Sequence, residues 1–209
     1  MIGLRLTLTC LAALAASLGM PSAQEQKTES PTALLSPAPN KGSSTDLAKP
    51  NTNHALLAEL VGTWAYKLNI RMGKDRWITT DGVVVRKPIM DGRFFMADFD
   101  VPMLPGAGGK LEKVNFAGKS IEAYDNVKQK FVSIWIDSAS TGVTVFEGTY
   151  DPTSRSFTYR SETEPQPGRI TKVRETVTIA DGNHYSLAWF EEHGGHEIKT
   201  VEINYTRKS

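Results

Sequence analysis

Two carboxylates interrupt the most strongly patterned stretch of the chain, KFVSIWIDSASTGVTVFEGTYD at residues 130–151: Asp137 and Glu147. Each sits among β-branched and aromatic residues, where an acid is either a solvated face residue or part of an enclosed site. Facing one cavity, the two would form a carboxylate pair beside Trp135, joined by Arg160, Glu175 or Glu202 from nearby strands. Burial would raise a carboxyl pKa and supply a general acid, and Arg160 could orient an anionic ligand. The structural alternative has Asp137 cap the turn at 138–142 and leaves Glu147 in water. Pairing Asp137 opposite Val143 across a five-residue loop separates two faces. Val132, Ile134, Ile136, Thr144 and Phe146 share one; Phe131, Ser133, Trp135, Asp137 and Glu147 share the other. The apolar face is expected to be the interior. Trp135, Asp137, Glu147 and Arg160 therefore make a ligand-binding set only if the second face points inward.

The remaining chemistry is sparse. His193 and His196 flank Gly194 and Gly195, and across such a turn their Cβ atoms would lie about 5 Å apart. Two imidazoles without a Cys or a third His rarely make a dedicated metal site, so neither a metal nor a cofactor is expected. There is no Gly-x-Ser-x-Gly, no phosphate-binding Gly loop before a helix and no nucleophilic Cys in the body of the chain. Common hydrolases and nucleotide enzymes are disfavoured, and no catalytic residue is assigned.

The elements that position these residues follow from the chain's organisation. Of 209 residues, 1–23 read as a secretory signal: a short start carrying Arg5, an apolar run at 6–18 too short to span a bilayer, and small residues before Gln24. Residues 24–53, rich in Pro, Ser, Thr, Lys and Asn without periodicity, read as a disordered linker. Residues 54–209 form one domain. The only Cys, Cys10, lies in the signal, so a periplasmic or secreted mature protein has no disulfide. Cleavage removes Arg5 and no acid, so 23 basic residues balance 23 acidic ones, and the formal charge falls from +1 to zero. That balance gives no electrostatic reason to expect nucleic acid, and no integral membrane segment is expected after cleavage. The sequence leaves oligomeric state open.

Leu56, Leu57 and Leu60 recur at helical spacing until Gly62 stops the run. After that, turn residues punctuate about ten strand-like runs: 63–71, 77–89, 93–101, 112–123, 130–137, 143–150, 156–163, 170–180, 184–192 and 197–207. YDNVKQKF at 124–131 and YDPTSRSF at 150–157 echo one another as hairpin loops opened by Asp. Pro102 to Val114 reads as a long connection able to act as a lid. Successive hairpins without crossover helices predict an all-β antiparallel up-and-down barrel with a short N-terminal helix, because an open meander would leave long edges unprotected.

VGTW at 61–64 after a short helix resembles the opening of calycins, the lipocalin and fatty-acid-binding group. With DGRFF at 91–95, YDN at 124–126, WIDS at 135–138, FEGTYD at 146–151 and VEINYTRK at 201–208, the chain resembles the bacterial domain of unknown function 1579 family across the whole domain. The resemblance implies a calycin-like barrel in which Gly62 and Trp64 open the first strand and Arg207 packs over Trp64 as a structural closure. Some small calycin-like barrels bind haem through a His, which draws attention to His184, His193 and His196, all near strand ends, but haem is not expected. The leading expectation is a small hydrophobic ligand inside the barrel. The alternatives are an envelope interaction module with a filled barrel, and a barrel enzyme using Asp137 and Glu147.

Overall fold

The computed structural model describes residues 44–106 and 108–208; the segment read as a signal and most of the linker lie outside them. Two short helices, α1 (Ser44–Leu47) and α2 (Thr52–Ala58), precede ten strands. These are β1 (Gly62–Arg71), β2 (Trp77–Ile89), β3 (Phe94–Pro105), β4 (Leu111–Asp125), β5 (Lys130–Asp137), β6 (Thr144–Asp151), β7 (Ser156–Gln166), β8 (Arg169–Ile179), β9 (His184–His193) and β10 (His196–Arg207). Each strand pairs antiparallel with its sequence neighbours, and β1 pairs with β10, closing the barrel.

The local chemistry explains the boundaries. Asn51 caps α2, its side chain accepting from Asn53 N at 2.9 Å while His54 Nδ1 accepts from Asn51 N at 3.1 Å. Leu57 and Leu60 bury completely beneath the helix. The two echoing loops are built alike: Asp125 Oδ1 accepts from Val127 N at 2.8 Å and Asp151 Oδ1 from Thr153 N at 2.9 Å. Both end on a left-handed residue, Gln129 or Arg155. α1 and the α2 cap fall at the end of the segment read as linker and are tied to the barrel. Asn126 Nδ2 donates to the Leu47 and Lys49 carbonyls, and Arg93 Nε donates to that of Ala48.

The lid expected over Pro102 to Val114 is replaced by strand. β3 runs on to Pro105 and β4 begins at Leu111, with a register shift between Val101 and Met103. The intervening Pro102 has no N–H to give to a ladder, and a bulge is where a sheet tolerates that. The short turn left is pinned where Arg76 Nη2 donates to the Gly109 carbonyl at 2.8 Å.

Candidate functional site

The barrel interior holds a cavity of about 120 Å³. Odd-numbered residues of β5 point into it, which reverses the face expected from the sequence. Phe131 and Ser133 are buried and Trp135 and Asp137 line the cavity, while Ile136 is exposed on the outside. On β6 the interior face is the one expected, with Phe146 buried and Val145 and Glu147 outside. The reason is register: Trp135 pairs with Thr144 and Ser133 with Phe146, one step from the pairing of Ile136 with Thr144. That step puts Asp137 and Glu147 on opposite sides of the wall, so they cannot act as an acid and base on one substrate.

The predicted set thus divides. Trp135 stands edge-on to Phe99 with ring centroids 5.5 Å apart, and its indole crosses Gly118, where a Cβ would collide with it. Trp135 Nε1 donates to Asp137 Oδ2 at 2.9 Å, and Ala139 N donates to Asp137 Oδ1 at 2.9 Å. Asp137 therefore both orients the indole and caps its turn at the cavity's edge. Glu147 lies outside, 3.1 Å from Lys128 Nζ. Arg160 also faces solvent, 3.7 Å from Glu197. Glu202 is outside too, bonded to Lys199 and Asn204. Of the acids proposed to join the set, only Glu175 lines the cavity.

At the first wall joint the Arg207 guanidinium lies 4.1 Å from the Trp64 ring. Its nitrogens donate to the carbonyls of Gly182, Val61 and Glu59 at 2.7, 2.8 and 3.1 Å. Gly62 sits at φ 141°, and a Cβ there would strike that guanidinium. Trp64 Nε1 donates to the Leu60 carbonyl at 2.9 Å, tying the helix segment to β1.

The interior carries a polar group that the sequence reading missed. Arg86 from β2 forms a buried ion pair with Glu122 from β4, whose Oε1 also accepts from Ser120 Oγ at 3.3 Å. Among the described residues, Arg86 Nε has no hydrogen-bond partner. Tyr185 and Tyr205 stack at 4.1 Å near the strand ends on the α2 side, and Glu175 approaches from the middle of β8. What surface Glu175 retains faces the cavity, and enclosure pushes its carboxyl up to about 7, with the Arg86 charge opposing the rise. Enclosure also holds Tyr66 and Tyr185 up at about 12, so these phenols stay protonated. The rest of the lining is apolar and aromatic, including Phe99, Trp135, Phe146 and Trp189. A signal for the polar layer existed: period-2 alternation places Arg86 in phase with buried Val84, and Glu122 in phase with Phe116 and Ser120.

His193 and His196 pair across the turn between β9 and β10, as expected, whereas His184 bonds Asp181 on another turn and His54 of α2 packs edge-on to Tyr124. His193 Nε2 lies 3.2 Å from Glu191 Oε2, and that buried carboxylate also accepts from Trp189 Nε1 and Thr200 Oγ1 at 3.2 and 3.1 Å. Among the described residues no group of three His, Cys, Asp or Glu could hold a metal ion. No described helix is long and apolar enough to cross a membrane.

The crystal structure of Rv2717c from M. tuberculosis has a similar fold, with a TM-score of 0.53 and 16% identity over 74% of this chain and 96% of that one. None of the curated proteins compared with the chain matches it. The model of the family described as "Protein of unknown function (DUF1579)" matches residues 49–207, and the chain belongs to that family.

Proposed function

We propose that this is an exported protein, periplasmic or secreted, whose barrel binds a small and mainly apolar molecule. The observation that carries the reading is the cavity inside the barrel: an aromatic wall around a few polar groups, the composition of a small-molecule site. Export is supported by the charged start, apolar run and small-residue junction of the first 23 residues. Size limits the ligand. Ligand pockets commonly measure about 300–1,000 Å³, whereas a cavity near 150 Å³ holds a benzene ring. At about 120 Å³ this one suits a single ring or a short chain, and a fatty acid would need the wall to move. The same small volume favours a second reading, a filled barrel serving as an envelope interaction module.

Native mass spectrometry of the mature domain purified from cells, with titration of small ring compounds against tryptophan fluorescence, separates the two. Trp135 and Trp189 line the cavity, so an occupant should shift their emission. An always-empty protein whose emission no such compound changes would leave only the filled barrel.

A further inference from the structure

We infer that the barrel selects a small organic cation, a primary ammonium on one ring or a short chain, with its nitrogen against Glu175 and its body against the aromatic wall. This deepens, and rests on, the reading of the cavity as a ligand site. The charges lining the cavity set the sign of the ligand. Among the described residues, Arg86 is the one basic residue in the lining, which also holds Glu122, Glu175 and Asp137. Glu122 is already paired with Arg86. Glu175 has the Arg86 charge in range, but no hydrogen-bond donor among the described residues stabilises its carboxylate.

Two enclosed carboxyls thus share one guanidinium, and the ionised set carries one net negative charge. A low-dielectric interior resolves that either by a proton on Glu175 or by a cation beside it. An anionic ligand would add to the excess. The wall favours a cation independently: Tyr66, Phe99, Trp135, Phe146 and Trp189 line the cavity, and a desolvated ammonium is attracted to indole and phenol faces. Asp137, which caps the turn after β5, adds a further carboxylate to the lining.

The groups around Glu175 make the binding pH-dependent. Tyr159 from β7 pairs opposite Glu175 on one side and Trp189 from β9 on the other. Arg86 from β2 bears on it electrostatically, and Tyr205 from β10 is in turn influenced by it. Tyr185 from β9 faces the same guanidinium. Burial raises all three phenols, leaving Glu175 to titrate near neutrality. An ammonium binds the ionised form, so its affinity should fall about tenfold from pH 8 to pH 6 as that form drops from roughly nine-tenths to one-tenth.

The test uses three probes of one shape on the full chain: benzylamine, benzyl alcohol and benzoate, titrated by fluorescence and calorimetry at pH 6 and pH 8. Benzylamine, protonated throughout, should bind at least tenfold tighter than the alcohol at pH 8 and lose that advantage at pH 6, with benzoate weakest. Glu175→Gln should remove both the preference and its pH dependence while still binding the alcohol. If that variant does not fold, the pH profile of the unaltered protein still decides. Equal binding of amine and alcohol, or tighter benzoate, would overturn the cation inference and leave the ligand-site reading standing. Binding of none of the three would overturn the inference, and an always-empty barrel from cells would then take the ligand-site reading with it.

Discussion

Replacing Glu175 with Gln should stabilise the protein, and more so as pH rises. Unfolded, the carboxyl titrates near its ordinary 4.5; folded, enclosure holds it near 7. Between those values the folded state binds more protons than the unfolded one, so stability falls with rising pH, and above 7 the whole cost is present. A difference from 4.5 to about 7, at about 1.36 kcal/mol per pH unit, amounts to roughly 3 kcal/mol. Glu175 is enclosed, so solvent screens little of this cost. Gln keeps the size without the charge, so any constant cost of the amide appears equally at every pH. Urea denaturation of both proteins from pH 4 to pH 8 measures the difference. The expected stability gain of the variant over the parent grows by about 3 kcal/mol across that range, most of it between pH 5 and pH 7. Other groups, including Asp151 and Asp181 with carboxyls lowered by hydrogen bonds, act alike in both proteins and cancel. A difference that is flat with pH, or one that shrinks as pH rises, would show that the enclosure of Glu175 does not outweigh the Arg86 charge.

Three further outcomes follow from the geometry. Arg207→Lys should cost about 2–4 kcal/mol in urea denaturation, because an ammonium keeps the charge but cannot reach three carbonyls while lying flat on Trp64. Gly118→Ala should cost about 1–3 kcal/mol and shift tryptophan emission, since the new methyl occupies the place of the Trp135 ring. Glu147→Gln with Arg160→Ala should change stability by less than about 1 kcal/mol and leave ligand titrations unaltered, because both side chains lie outside the barrel in exposed ion pairs.

Strand limits were legible because turn chemistry is local. Asp125 and Asp151 mark their hairpins by bonding their own backbones, and β5 spans the very residues that the pattern suggests. Closure followed from the number of hairpins and the absence of crossover helices. Which face of β5 points inward was not legible, because two assumptions failed together. The register between β5 and β6 depends on where the loop places its last residue, and one step exchanges the neighbours of every side chain. The rule that the apolar face is the interior presumes a core built for packing alone, and this interior keeps Ser133 and Asp137 on its side while Ile136 and Val145 face out. Arg86, Glu122 and Glu175 come from three different strands, so no linear spacing marks them as a group. Their common signal is a charge in phase with inward residues on its own strand, visible only once the face is known.

The seam between β1 and β10 has a consequence for how the chain can be made. Every other wall joint links strands adjacent in sequence, whereas this one holds Trp64 against Arg207 across nearly the entire domain. The hairpins can form as soon as their residues are available, but the ring cannot shut until its final strand arrives. A chain cut short before His196 would therefore carry two unpaired strand edges, β1 and β9, and the cavity between them would be open along its length. By the same geometry the two ends of the domain are neighbours, so a short link between them with new ends at a distant hairpin would redraw the order of the chain and keep the ring intact.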